Sequence, residues 1–408
     1  MRILVLGSNA VNKGAEAMLY TVLAELGDRI PGASFCIGDW RARQWHPEGL
    51  VALGMPYAPV EPQGRITTFA NLALRMARAP EGPTYWLRRR DRLAYAEALA
   101  NAVDGAVDVS GFLFSDQRGT AGDPLLPVVD TFARRGKPFV FLPQAWGPFE
   151  DPRVHALAKR AISSATLTFA RDDISRDYIR QLDADGLVEQ ASDIAFLFRA
   201  SPDGRQLVAR LGLDPGRPIV AIAPNMRVYE RTGGEGSDNL YGQALTQIGR
   251  SFLDQSVQIL LVPHEILPAS ETRHDDRYLC QLIADTLGAE DVGAVTEDCS
   301  AADLKAMIGV CELMIGSRFH ALIAALSSGV PSVAVGWAHK YPELLAEFGL
   351  ETYVLDHSNL TPDDLQRLVT EAWQDRSALR SRLLEALPHV KARSAQAFDA
   401  TRDALCSA

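Results

Sequence analysis

The sequence predicts an α/β protein built as two Rossmann-like, doubly wound domains, and three observations predict it. At 408 residues the chain is too long for one ordinary domain and suits two of roughly 200. Strand-length apolar runs alternate with segments of helical periodicity through both halves, the pattern of parallel sheets covered by helices. Polar and glycine-bearing turns follow those runs, at the strand ends where ligands of open α/β sheets collect.

Composition narrows the classes. Apolar residues make up 47%, enough for a core in each half. Lys plus Arg number 41 against 51 Asp plus Glu, a net charge of −10, so nucleic acid is not an expected partner. Cys36, Cys280, Cys299, Cys311 and Cys406 are scattered without CxxC spacing. Neither a disulfide framework nor a metal site is expected, and a cytoplasmic location fits. Met1 leads directly into an apolar run, and no 18-residue apolar stretch occurs, so neither a signal peptide nor a spanning helix is expected.

In chain order, Ile3 to Leu6 opens the first sheet. Gly7 and Gly14 bracket a polar turn, and Glu16 to Leu26 carries Ala17, Met18, Leu19, Val22 and Leu23 at helical spacing. The G-x-G-x-x-G dinucleotide fingerprint is absent. Residues 34–38 read as a second strand. Residues 65–92 hold Arg65, Arg75, Arg78, Arg88, Arg89, Arg90 and Arg92, with Tyr85, Trp86 and Leu87 among them. This basic insertion, about 60–95, is a candidate for peripheral contact with the anionic inner membrane face; a solvated helical insertion is the plainer alternative. Ala106 to Val109 and Lys137 to Leu142 read as strands, the second ending in PQAWGPF with Gln144, Trp146 and Gly147. Val154 to Ile162 reads as a helix, and the strand Leu167 to Ala170 ends at Arg171-Asp172-Asp173-Ile174-Ser175. Ala191 to Phe196 precedes a linker at 198–217, punctuated by Pro215, Gly216 and Pro218.

The second half repeats the alternation. The strand Ile219 to Ala223 ends at Asn225 and Arg227, candidates to touch a ligand. Tyr229 to Asp238 reads as a mobile loop, Gln243 to Phe252 as a helix and Val257 to Val262 as a strand. Pro263, His264 and Glu265 end that strand, with Asp275 and Asp276 further on. His264 and Glu265 are acid–base candidates, or a loop histidine beside a solvated glutamate. Thr296 to Ile308 contains a helix. Leu313 to Lys340 then forms a compact strand, turn, helix and strand, closed by Gly329 and Pro331. Ser317, Arg318 and His320 sit where that helix begins, where unpaired N–H groups and the helix dipole favour anions. A salt-bridged arginine and a capping histidine are the alternative. Pro342 to Phe348 reads as a helix and Tyr353 to Leu355 as the last strand. Pro362 to Leu387 and Arg393 to Leu405 read as two closing helices.

The block SRFHALIAALSSGVP, followed by Lys340, resembles the C-terminal signature of the polysaccharide pyruvyltransferase family. Asn12, Gly14, Glu16 and Ala17 resemble its N-x-G-x-E-A opening, with Ala15 where the family often has Asp. Gln144 with Gly147, Arg171 to Ser175 and Asp193 to Phe196 resemble its Gln–Gly loop, its R-D-x-x-S and its D-x-A-F. The resemblance implies a GT-B-like architecture of two domains facing a central cleft. Residues 1–197 would be the N-terminal, acceptor-side domain and 198–385 the C-terminal, phosphoenolpyruvate-side domain. A helix at 386–408 would return to the first. It implies that the enolpyruvyl carbons of phosphoenolpyruvate pass to a sugar as a cyclic ketal. No cofactor is required beyond this co-substrate, and the acceptor is an oligosaccharide or lipid-linked glycan.

The donor's carboxylate and phosphate ask for Arg and Lys. Arg171, Ser317, Arg318, His320 and Lys340 are the expected phosphoenolpyruvate-binding set. His320, Arg318 and Lys340 are the expected catalytic residues, with the base unassigned. Asn12, Glu16, Gln144, Asn225, Arg227, His264 and Glu265 are the acceptor-binding candidates. The helix dipole and Arg318 disfavour charge on His320, which is expected neutral until a polyanionic substrate binds. The alternative is a nucleotide-sugar glycosyltransferase of the same architecture. Glu343 and Glu351 have E-x7-E spacing, but Gly349 interrupts them and they follow the βαβ unit. A non-catalytic sugar-binding factor is the third class, which the charged set argues against.

Overall fold

The computed structural model describes residues 1–8, 11–38, 81–267 and 275–407. Their contacts divide the chain into two units. The first comprises Met1–Ser8, Leu23–Ala191 and Ala397–Ala408; the second comprises Asn9–Val22 and Ser192–Gln396. Helix α1 (Lys13–Arg29) crosses the division, so its first turns belong with the second unit.

In the first unit six parallel strands run β1 (Arg2–Leu6), β2 (Ser34–Ile37), β3 (Gly105–Asp108), β4 (Phe139–Gln144), β5 (Leu167–Ala170) and β6 (Val188–Gln190). Their order is β2-β1-β3-β4-β5-β6, so the winding reverses between β1 and β3. Helices α2 (Glu81–Ala102), α3 (Leu126–Arg134), α4 (Pro152–Ser164) and α5 (Asp173–Gln181) connect them. Strands β3, β4 and β5 are buried along their whole length, which explains their apolar runs without polar alternation. Past β4, Trp146 stacks on Phe114 with ring centroids 5.1 Å apart and donates Nε1–H to the Phe169 carbonyl. Asp172 caps α5 through the Ser175 N–H, and Ser175 Oγ accepts the Trp146 N–H. Two residues of the R-D-x-x-S motif thus build the strand end that carries Gln144 and Arg171.

The second unit repeats the plan with β7 (Ile219–Ala223), β8 (Gln258–Leu261), β9 (Val292–Ala294), β10 (Leu313–Gly316), β11 (Ser332–Gly336) and β12 (Val354–Asp356). All pairs are parallel and the order is β12-β11-β10-β7-β8-β9, reversing between β7 and β10. Its helices are α6 (Gly204–Arg210), α7 (Met226–Thr232), α8 (Leu240–Leu253), α9 (Asp276–Leu287), α10 (Ala301–Ile308), α11 (Phe319–Ser327), α12 (Lys340–Ala346) and α13 (Pro362–Cys406).

Several elements differ from expectation. Residues 362–406 form one helix with Pro388 inside it, where two were expected. Proline removes one helical hydrogen bond, but Leu383, Leu387, Val390 and Ser394 on both sides are buried, and that packing carries the helix through. The expected loop 229–238 begins as α7. Asn239 Nδ2 donates to the Tyr229 and Gly233 carbonyls and Tyr229 OH accepts the Gly236 N–H, so the segment is tied. The expected linker contains α6, whose Gly204 lies against α10: a Cβ there would stand 2.3 Å from the Ala306 carbonyl oxygen. The short strands β6 and β9 carried too few apolar residues to be read. Of the basic insertion, residues 60–80 and the side chains up to 91 lie outside the described residues; Arg92 pairs with Asp123 at 2.8 Å. No helix of the described residues is long and apolar enough to cross a membrane.

Candidate functional site

In the second unit the ends of β7, β8 and β10 meet at the reversal of strand order, the place where open α/β sheets bind ligands. Asn225 follows β7, His264 and Glu265 follow β8, and Ser317 and Arg318 follow β10. The first turn of α1 joins them: Asn12 pairs with Glu265 in an isolated bridge, and the Lys13 N–H donates to the His264 carbonyl.

Arg318 is the hub. Its Nε and Nη2 donate to the two oxygens of Asp276, at 2.7 and 2.5 Å, and Nη1 stands 2.5 Å from Glu265 Oε2. Asp276 is wholly buried and also accepts the N–H groups of Met226, His264 and Glu265. One carboxylate therefore ties three strand ends together. Burial raises the Asp276 pKa while Arg318 works the other way. Burial also works against the Glu265 charge, but Arg318 and Arg227 outweigh it and hold its carboxyl below the usual range. Burial works against the Arg318 charge, but Asp276 and Glu265 outweigh it and leave the guanidinium more firmly protonated than a free one. Three of its five donors are used by these acids, leaving two for other partners.

His264 is 5% exposed. Burial first, then His320, Arg318 and Lys13 nearby, push its pKa down to about 3, so it is neutral at physiological pH. Its Nδ1 has no hydrogen-bond partner among the described residues. His320 lies with Nε2 3.8 Å from Asp193 Oδ2 and its other edge against Gly14. Lys340, 9% exposed, places its ammonium 4.7 Å from the Trp337 ring centroid and 5.1 Å from that of Phe319.

Four candidates have polar side chains committed to the scaffold. Asn12 Oδ1 accepts the Gly14 and Ala15 N–H groups. Glu16 Oε1 accepts the Ala301 N–H that opens α10, and Oε2 pairs with Lys13. Asn225 caps α7 through the Arg227 N–H and donates to the Ser317 carbonyl at 2.6 Å. Ser317 Oγ accepts from Tyr241 OH at 2.7 Å, and its carbonyl accepts from Tyr341 OH. Arg227 is 3.7 Å from Glu265. Arg171 and Gln144 belong to the first unit, joined by the Arg171 N–H donating to the Gln144 carbonyl. Gln144 is 1% exposed, and neither amide atom has a partner among the described residues. Glu343 lies on α12 and Glu351 in the following 3₁₀ turn, two separate elements.

Sequence reasoning missed Lys13, Asp193 and Asp276 as members of this group. Lys13 is 4% exposed, paired with Glu16 at 3.1 Å and Asp298 at 2.9 Å. A lysine at a helix start reads as solvated, and its burial depends on residues far along the chain. Asp276 stands in the first turn of α9, and no local pattern announces the arginine it meets from β10.

Two parallel six-stranded sheets, each with its reversal point, define a GT-B-like α/β protein. Solved structures share the fold at low identity. UDP-GlcNAc 2-epimerase from Neisseria meningitidis, bound to UDP-GlcNAc, matches with a TM-score of 0.62 and 11% identity, covering 100% of both chains. The α,α-trehalose 6-phosphate synthase from Burkholderia multivorans matches with a TM-score of 0.57 and 14% identity, over 99% of this chain and 98% of that one. The family model for polysaccharide pyruvyl transferase matches residues 12–339. The chain belongs to the polysaccharide pyruvyl transferase family. It is 20% identical over 234 residues to the amylovoran biosynthesis protein AmsJ of Erwinia amylovora, spanning 55% of each chain.

Proposed function

We propose that the protein transfers the enolpyruvyl carbons of phosphoenolpyruvate to a sugar of a polysaccharide or lipid-linked glycan precursor. The product is a pyruvate ketal and the by-product phosphate. Family membership carries this reading, supported by Arg318 and His320 at the start of α11, after the strand that borders the reversal of the second unit, and by Lys340, whose ammonium lies 5.1 Å from the Phe319 ring centroid.

In the proposed chemistry, C3 of the donor accepts a proton and C2 becomes electrophilic. One sugar hydroxyl attacks C2 and a second closes the ring as phosphate departs; the two hydroxyl protons leave to a base and to the phosphate. Lys340 and the two remaining donors of Arg318 meet the donor's negative charge. The uncapped start of α11 adds backbone N–H groups and its dipole. His320 serves as the acid or as a cationic partner of the phosphate. Arg171 is assigned to the donor and Gln144 to acceptor hydroxyls. Asn12, Glu16 and Asn225 shape the site by the bonds they already make. The arginines of 65–92 hold the enzyme at an anionic membrane face when the acceptor is lipid-linked.

Incubation with phosphoenolpyruvate and a panel of lipid-linked or aryl glycosides tests the reading. Released phosphate should accompany a product heavier by one pyruvate less one water. Turnover of nucleotide sugars, with none of phosphoenolpyruvate, would replace it by the glycosyltransferase alternative.

A further inference from the structure

Glu265 is held by its backbone and by one of its two carboxylate oxygens. Its N–H donates to Asp276 Oδ2 at 2.9 Å, and its carbonyl accepts the Asp276 N–H at 3.2 Å. On either side of it, the His264 carbonyl accepts the Lys13 N–H and the Ile266 N–H donates to the Val11 carbonyl. The end of β8 is thus stitched to the segment that opens α1. The side chain is fixed in turn, with Oε2 2.5 Å from Arg318 Nη1. Arg318 is itself clamped by the two oxygens of Asp276.

The other oxygen is less committed. Arg227 Nη2 stands 3.7 Å from Oε1, an ion pair too long for a hydrogen bond. Of the two acids on Arg318, Glu265 is the one that meets solvent: its side chain is 20% exposed, against 0% for Asp276. Arg318 and Arg227 together keep it ionised.

The proposed chemistry needs a group to take the proton of the attacking hydroxyl. That group must be ionised, fixed in place and reachable. It need not be strongly basic. As the hydroxyl oxygen bonds to the cationic C2 it becomes an oxonium, a far stronger acid than any carboxylic acid, so an ordinary carboxylate accepts its proton. Asp276 is buried and filled by Arg318 and three N–H groups. Glu16 is committed to the Ala301 N–H and Lys13. His264 is 5% exposed.

We propose that Glu265 is the catalytic base: Oε1 takes the proton of the sugar hydroxyl that attacks C2, while Oε2 stays on Arg318. The claim rests on the proposed enolpyruvyl transfer and completes it. The C2–O bond forms as the O–H bond breaks; its electron pair stays on oxygen and the proton passes to Oε1. Phosphate leaves with the electron pair of its bond to C2 and takes the proton of the second hydroxyl. C3 has gained one proton and Glu265 holds one, so exchange with water resets acid and base together. One planar guanidinium, with Glu265 on Nη1 and two donors left for phosphoenolpyruvate, sets base and donor side by side.

The test is Glu265→Gln in the full chain. The amide keeps the shape and an acceptor for Arg318, but takes no proton. Its kcat should fall by about 10²–10⁴. Its calorimetric affinity for phosphoenolpyruvate should be unchanged or tighter, because a negative charge beside Arg318 has gone. Formate should restore part of the turnover of Glu265→Ala and none of that of Glu265→Gln, whose amide fills the space. A carboxylate that merely supports Arg318 gives the opposite split. Glu265→Gln would then bind phosphoenolpyruvate more weakly or melt lower, and keep its kcat when folded and saturated. That result overturns the proposal. So does full turnover in Glu265→Gln with loss in His264→Gln, which would move the role to the histidine. Wild-type protein that neither binds nor turns over phosphoenolpyruvate fails the functional reading itself, and this claim with it.

Discussion

Gly14 and His320 are in such close contact that a single added methyl at Gly14 would overlap the imidazole, 2.1 Å from Nδ1. They are the third position of the N-x-G-x-E-A turn and the fourth of the S-R-F-H block. Two family-like motifs are therefore one structural unit, and Gly14 is glycine because of a ring far along the chain. Gly14→Ala should displace His320 or shift the start of α1, costing about 1–3 kcal/mol as overpacking does. Its kcat should fall further than that loss of stability explains. Melting temperature and kcat on the same preparation check this, and unchanged turnover would show that the contact is incidental.

Asp276→Ala should be among the most destabilising single changes. It strips Arg318 of a bidentate partner and leaves the N–H groups of Met226, His264 and Glu265 without their acceptor. Breaking a buried ion pair from one side costs about 3–5 kcal/mol. The midpoint of urea unfolding should drop accordingly. Replacing Arg318 and Asp276 together by leucines should recover only the part due to the stranded guanidinium, since Glu265 then keeps Arg227 alone and the three N–H groups still lack their acceptor.

Lys305 predicts a slope of stability with pH. Burial, and then Lys391, lower its pKa from 10.5 to about 7, while its ammonium donates to the Phe198 carbonyl at 2.6 Å. Between these two values the unfolded chain binds the proton that the folded chain does not. Stability should therefore fall as pH drops from about 10.5 to about 7 and level off outside that window. Lys305→Met should flatten the curve and be the more stable protein at pH 7–8. Urea unfolding at several pH values reads this directly, and an identical slope in the variant would exclude Lys305 as its source.

Gln144→Leu should separate stability from function. Its amide is buried with no partner among the described residues, a cost of about 1–3 kcal/mol that leucine removes. The variant should melt higher than wild type while its KM for the sugar acceptor rises. A lower melting temperature would mean that the amide is already satisfied in the free protein.

Arg171→Ala and Lys340→Ala should each weaken phosphoenolpyruvate binding roughly tenfold to a hundredfold, the scale of one charge-assisted hydrogen bond. Calorimetry on the folded variants measures it. Unchanged affinity in both would place the donor elsewhere.

The sequence by itself determined the elements and the motifs. Apolar runs at β3, β4, β5, β7 and β10 announced parallel sheets, because strands buried on both faces need no polar alternation. The Leu313–Lys340 block placed Ser317, Arg318 and His320 at the start of a helix, because strand, turn and helix are local. Tertiary structure alone decided what those side chains face. Arg318 reads as an open anion ligand until α9 brings Asp276 against it, and Lys13 reads as a solvated lysine until Asp298 and Glu16 enclose it. Pro388 reads as a helix end until the buried residues on either side hold α13 in one piece. The first turn of α1 groups with the second unit for the same reason: its partners, His264, Asp298, Ala301 and His320, lie more than two hundred residues downstream. Periodicity along a chain reports which face of an element is apolar. It carries no information about which distant charge will be desolvated beside it, and that pairing sets the chemistry of this site.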